Sequence, residues 1–318
     1  MLRFVLCSLA LCGIVIPMQA QTAQPIRLGI IGADTSHAVE FTRIFNDDAA
    51  KDHVAGARIV AVFKGGSPDV ESSSSRIEGF STQLRDKWHL TFVDHIADLC
   101  PLVDGILLES VDGRTHLAQF RQAVACHKPV FIDKPLASTY ADAKAIAQLA
   151  TAQHVPWFSA SSLRWSPIQT LRSPQLLSAF TWSPGPLEPH HQLDLSWYGI
   201  HGVEMLFSLM GPGVQQVTRT YAPDAEVITG VWKDGRIGTV HLGRPYSSYG
   251  AVAFYPNNKS TAVNEMPINY SQMLPQIVDF MRTGVPPVPN AETLDIFAFM
   301  DAAQRSRDQG GIPANVQP

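Results

Sequence analysis

Three groups of side chains in this 318-residue chain have types and spacings that suit chemistry. The first is Asp133-Lys134-Pro135, directly after the apolar run Val130-Phe131-Ile132. A lysine at the carboxyl end of a buried strand stands where open α/β sheets bind ligands, and its ammonium offers three donors. The second is Tyr198, His201 and Glu204 on an expected helix, where residues three apart share a side. The third is Gly32-Ala33-Asp34-Thr35-Ser36-His37, which follows the apolar run 26–31. Strand, tight turn and helix in that order form the layout of a dinucleotide-binding unit, with a pyrophosphate at the helix N-terminus. Only the first glycine of G-x-G-x-x-G is present, as Gly32. Asp34 holds the second position and His37 the third. A carboxylate there opposes the positive potential that a diphosphate needs.

These residues need a scaffold, and the pattern between them supplies one. Strands are expected at 26–31, 58–63, 104–109, 129–132 and 156–159, with helices between them, including 38–49 and 139–152. Near-continuous apolar runs such as Ile59-Val60-Ala61-Val62-Phe63 suit parallel strands covered on both faces. The alternation predicts an α/β fold with a doubly wound parallel sheet, Rossmann-like. The serine-rich run 71–75 reads as a solvated loop. After Arg164, proline and glycine become frequent, and short alternating strands are expected at 179–182, 226–232, 237–242 and 251–255. A hairpin turn is expected at 230–235 and closing helices at 271–283 and 291–308. That second half reads as an α+β domain with an antiparallel sheet. The organisation is thus a leader over 1–20, a Rossmann-like domain over 21–162 and an α+β domain over 163–318.

The leader reading rests on Arg3, the apolar stretch 4–16 and Pro17-Met18-Gln19-Ala20, the pattern of a secretory signal peptide. It predicts a periplasmic or secreted protein starting near Gln21. The net charge of −4 gives no electrostatic footprint for nucleic acid. No later stretch is long enough to cross a bilayer, so no membrane contact is expected after cleavage. Cys7 and Cys12 leave with the leader. Cys100 and Cys126 read as unpaired, buried thiols, although export would permit a bridge.

Taken in order, four landmarks resemble the glucose–fructose oxidoreductase / inositol dehydrogenase family (Gfo/Idh/MocA). They are the Gly32 turn, Asp104-Gly105-Ile106-Leu107-Leu108 leading to His116, Val130-Phe131-Ile132-Asp133-Lys134-Pro135, and Tyr198-Gly199-Ile200-His201-Gly202-Val203-Glu204. The resemblance spans nearly the whole mature chain. It implies an oxidoreductase acting on a carbohydrate or polyol with a tightly held NAD or NADP. Lys134 would bond the substrate hydroxyl beside the nicotinamide, His201 would accept or relay the proton, and Tyr198 would join them. The cofactor would meet Gly32, Ala33, Asp34, Thr35, Ser36, His37, Lys64, Ser110, His116 and Asp133. The substrate would meet Arg164, His190, Trp197 and Glu204. A homo-oligomer built on the exposed face of the second sheet is a further implication.

This sequence departs from that pattern. Trp197 stands four residues before the histidine, where the dehydrogenases carry an aspartate, and Asp194 is too far along a continuous helix to replace it. Trp197 and Tyr198 can stack on a sugar ring or pack between domains. Lys64 after the second strand suits either a 2′-phosphate or a solvated loop. Asp34, His37, His116, His190, His191 and His201 also allow a divalent metal, although no compact ligand spacing exists. The alternative function is therefore a non-redox lyase or hydrolase on a sugar, with a non-catalytic sugar-binding protein as a third.

Overall fold

The computed structural model describes residues 24–317, so the expected leader lies outside the described residues. Its first sheet contains β1 (Ile26–Ile31), β2 (Ala57–Phe63), β3 (Thr91–Val93), β4 (Gly105–Leu108), β5 (Val130–Asp133) and β6 (Trp157–Ala160). All pair in parallel, in the order β3-β2-β1-β4-β5-β6. The order reverses between β1 and β4, which opens a crevice at the carboxyl ends of those strands. Every residue of β4, β5 and β6 is buried, which explains their largely apolar sequences.

The helices of this half are α1 (Ser36–Asn46), α2 (Glu71–Ser74), α3 (Ile77–Thr82), α4 (Gly113–Ala123) and α5 (Tyr140–Ala152). Thr35, Asp112 and Thr139 cap α1, α4 and α5 by accepting a backbone N–H in the first turn. The serine run expected to be a solvated loop instead forms α2. Its Ser73 is fully buried, donating to Asp34 at 2.6 Å and accepting from the Ser67 amide at 2.8 Å. Those long-range bonds override the weak helix propensity of serine.

The second sheet holds β7 (Ser178–Pro184), β8 (Val214–Tyr221), β9 (Ala225–Trp232), β10 (Ile237–Gly243), β11 (Gly250–Tyr255), β12 (Lys259–Val263) and β13 (Ala314–Asn315). The order is β12-β11-β7-β10-β9-β8-β13, antiparallel except where β7 and β10 run parallel. The expected hairpin turn is present between β9 and β10, with Gly235 at φ +85°. A wholly buried helix, α6 (Ile200–Met210), lies on the sheet, where the Thr181 hydroxyl donates to the Gly202 carbonyl at 3.0 Å.

Two helices close the chain, α7 (Leu274–Thr283) and α8 (Asn290–Asp308). Although α7 belongs to the second half by sequence, it packs on the first sheet. Leu274 and Ile277 share a core with Leu28, Ile30 and Phe131, and Phe158 sits 4.9 Å from Phe131 and 4.8 Å from Phe280 between ring centroids.

Cys100 and Cys126 form a disulfide with their Cα atoms 4.9 Å apart, so the expectation of free thiols is corrected. The two residues end short helical turns on either side of β4 and meet at disulfide distance.

Candidate active site

The carboxyl ends of β1, β4 and β5 face the start of α6 across a cavity of about 210 Å³. His37, Lys134, Tyr198 and His201, all singled out from sequence, line it together with Tyr249 and Tyr270. That volume lies below the usual range of roughly 300–1,000 Å³ for drug-sized ligands, and it suits a compact molecule of sugar size.

His201 is buried, and its Nδ1 lies 2.7 Å from the Ser161 hydroxyl, which fixes the ring. Burial, aided by the positive charges of Lys134 and His37, holds its pKa well below the ordinary histidine value. The ring is therefore neutral at physiological pH. In the tautomer that donates from Nδ1 to Ser161, Nε2 carries a free lone pair. Tyr198 and Tyr249 pack against the imidazole at 5.7 and 5.8 Å between ring centroids. Burial pushes the Tyr249 and Tyr270 phenols above their usual range, leaving both as neutral hydrogen-bonding groups.

Asp133 and Glu109 lie behind this wall. The His37 Nδ1 sits 2.7 Å from Asp133 Oδ2. Burial raises the Asp133 pKa, yet the His37 and Lys134 charges and hydrogen bonds outweigh it and keep the carboxyl ionised. Glu109 follows β4, is fully buried, and has no hydrogen-bond partner at either carboxylate oxygen. Burial, reinforced by the Asp133 charge, pushes its pKa well up.

The turn after β1 keeps part of a dinucleotide cradle. Gly32 has φ +100°, and a Cβ there would collide with the Ser110 backbone. A carboxylate stands within the groove. Asp34 is fully buried, accepting from Val111 N at 3.1 Å and from the Ser73 hydroxyl at 2.6 Å. Gly65, after β2, lies so close that a Cβ on it would sit 3.3 Å from Gly32 Cα. The Gly32 and Ala33 amides are spent on the Phe63 and Lys64 carbonyls at 2.9 and 2.8 Å. A dinucleotide in this fold runs from the α1 N-terminus toward the end of β2. The Asp34–Ser73 bond crosses that path, while cavities stay open on either side of it: Thr35 and Ser36 border the one beside His37, and Lys64, Gly65 and Ser67 border another of about 300 Å³ at the end of β2.

Several residues expected at the site have other work. His116 is buried in α4, with Nε2 2.7 Å from the Ser110 carbonyl and Nδ1 3.2 Å from that of Leu136, and burial lowers its pKa. It staples two loops rather than meeting a ligand. Ser110 is buried against Gly32. Lys64 pairs with Glu78 at 2.6 Å on the surface, at the rim of the cavity at the end of β2. His190 is exposed beside Glu188 and Asp69, away from the cavity. Arg164 and Glu204 are spent on each other at 2.8 Å, with Glu292 at 2.6 Å on the same guanidinium. Trp197 lines the cavity, is largely buried and packs edge-on against His191 at 5.1 Å. Asp194 is committed to the buried Arg219, which it binds through both oxygens at 2.8 and 3.0 Å. Glu109, Ser161, Tyr249 and Tyr270 were not foreseen. For Glu109 the signal was available, since it is a charged residue straight after the apolar run of a central strand.

Residues 26–160 match the family described as GFO_IDH_MocA, an oxidoreductase family with an NAD-binding Rossmann fold. No curated protein sequence matches the chain. Solved structures match over nearly their whole length. Myo-inositol dehydrogenase from Lactobacillus casei, in complex with NAD(H) and myo-inositol, is 16% identical with a TM-score of 0.70, covering 93% of this chain and 98% of its own. An oxidoreductase from Agrobacterium radiobacter, in complex with NAD+, L-tartaric acid and magnesium, is 17% identical at 0.70, covering 92% and 99%. GenD2 from gentamicin A biosynthesis, in complex with NAD, is 14% identical at 0.75, covering 96% and 100%. At these identities the likeness establishes the two-domain fold.

Proposed function

We propose that this chain is an exported, non-redox enzyme built on the Gfo/Idh/MocA fold, transferring a proton on a small carbohydrate or polyol-derived substrate, as in a lyase. The buried Asp34 carboxylate in the nucleotide groove carries this reading, because it takes the Val111 N–H and the Ser73 hydroxyl and sets a negative charge where a diphosphate would lie. The cavity retains the groups for proton chemistry. His201 Nε2 would take a proton from a carbon next to a carbonyl, the electron pair would move onto the carbonyl oxygen, and the Lys134 ammonium would stabilise that oxygen. In a lyase the pair then returns to form the double bond and expels the oxygen group on the next carbon, which leaves with the proton from the imidazolium. The neutral phenols of Tyr249 and Tyr270 suit hydroxyl groups on the substrate. Two solved neighbours hold myo-inositol and L-tartaric acid, which supports a hydroxylated substrate. The Cys100–Cys126 bridge supports export, since such bonds persist in oxidising compartments.

A second reading, a carbohydrate oxidoreductase with retained NAD or NADP, is favoured by the family match over 26–160 and by the Gly32 turn. Proton exchange separates the two. The protein, without added nucleotide, should wash deuterium from D2O into one of a panel of keto-sugars and sugar acids, and His201→Ala should abolish the exchange. Turnover seen only with NAD or NADP reduction would overturn the proposal.

A further inference from the structure

We propose that His37, Glu109 and Asp133 bind a divalent metal ion behind the cavity wall. One nitrogen or oxygen from each residue lies within 4.8 Å of the others, a cluster found among the described residues. The three come from different elements that converge at the switch point of the first sheet: α1, the segment after β4, and the last residue of β5. Proximity of acids alone would say little. The independent observation is Glu109, which is fully buried, reaches into this cluster, and leaves both carboxylate oxygens without any partner. Buried polar groups in folded proteins are nearly always bonded, and an unpartnered buried carboxyl is a ready ligand for a cation.

The donor set fits a metal ion, and a side-chain adjustment of under about 1 Å brings the three atoms within the roughly 4.2 Å that two ligands at about 2.1 Å can span. One imidazole nitrogen with two carboxylates suits Mn²⁺ or Zn²⁺ better than the all-oxygen cations or the thiophilic ones. The ion would replace the proton that His37 Nδ1 and Asp133 Oδ2 share at 2.7 Å, with the two atoms moving apart to about 3.4 Å for tetrahedral ligands at about 2.1 Å. Three protein ligands leave positions open, and His37 also lines the cavity, so an oxygen of a bound substrate can reach the ion there. The ligand class that follows is a carbonyl or carboxylate oxygen flanked by hydroxyls. That role rests on the proton-transfer reading, but metal binding does not require turnover and is tested by itself.

The test is equilibrium dialysis of chelator-treated full-length mature protein against Mn²⁺ and, separately, Zn²⁺, read by metal analysis. Wild type should retain one ion per chain. Glu109→Gln and Asp133→Asn, each checked for native circular dichroism and thermal unfolding, should weaken retention at least about tenfold. Failure of the wild type to retain either ion, or unchanged retention in whichever variant folds, would overturn the site. Retention lost in a folded variant would uphold it even if no deuterium exchange were ever found, so the two proposals fail separately.

Discussion

The Ser73 hydroxyl donates to Asp34 Oδ2 at 2.6 Å, and this bond ties the turn after β1 to the helix that follows β2. The other Asp34 oxygen takes the Val111 amide at 3.1 Å, so one carboxylate joins three carboxyl-end segments of the sheet. In a dinucleotide enzyme those segments flank the cofactor. Here they are laced to one another. Asp34→Ala should therefore destabilise the fold, because it leaves the Val111 N–H and the Ser73 hydroxyl without a partner. The expected loss is about 1–3 kcal/mol, measured by urea denaturation. An unchanged midpoint would show that the bonds contribute nothing.

Lys134→Met should lower turnover by at least about a hundredfold, the usual scale for a lost proton-handling group, with thermal unfolding close to wild type. His201→Ala should behave similarly. Because both act at one substrate, the double variant should lose less than the product of the two single losses. Multiplicative losses would mean that the two groups act independently.

His201 also makes stability depend on pH. Its folded pKa is well below the ordinary 6.5, so between those values the unfolded chain binds the proton that the folded chain refuses. Stability therefore rises with pH up to about 6.5 and is lost as pH falls below it. Each such group steepens the slope by up to about 1.4 kcal/mol per pH unit. His116, also buried with a lowered pKa, adds in the same direction. Denaturant titrations between pH 5 and 6.5 should give a shallower slope for His201→Gln than for wild type. Equal slopes would contradict the neutral, buried imidazole.

Reduction of the Cys100–Cys126 bond, or Cys100→Ala with Cys126→Ala, should cost about 3 kcal/mol. That is the chain-entropy value for a loop closed by residues 26 apart in sequence. Thermal unfolding with and without a reductant measures it, and identical midpoints would show that the bridge does not constrain the chain.

Five strands of the first sheet were legible because they are largely buried and read as apolar runs; the short edge strand β3 was missed because Thr91, Phe92 and Val93 are exposed or only half-buried. The second sheet was partly legible. β8 was missed because its inward positions are Val214, Val217 and the charged Arg219, the last buried against Asp194 and Glu226. No hydrophobicity pattern reveals a strand whose core residue is an arginine. The cavity groups Lys134, His201 and His37 were found from their place at strand and helix ends. Glu204 and Arg164 read as functional because charged residues in apolar segments look the same whether they meet a ligand or each other. The Asp34 latch needed coordinates, since Ser73 and Val111 meet it only through the tertiary fold.

The account turns on whether the groove after β1 holds a nucleotide. The direct measurement is nucleotide analysis of freshly purified, acid-quenched wild-type protein, followed by calorimetric titration with NAD and NADP of wild type and Asp34→Gly. The expected result is no released nucleotide and no heat of binding for wild type, with binding appearing only when Asp34 is replaced by glycine and the carboxylate is gone. Near-stoichiometric NAD or NADP released from the wild-type protein would contradict the account and restore hydride transfer.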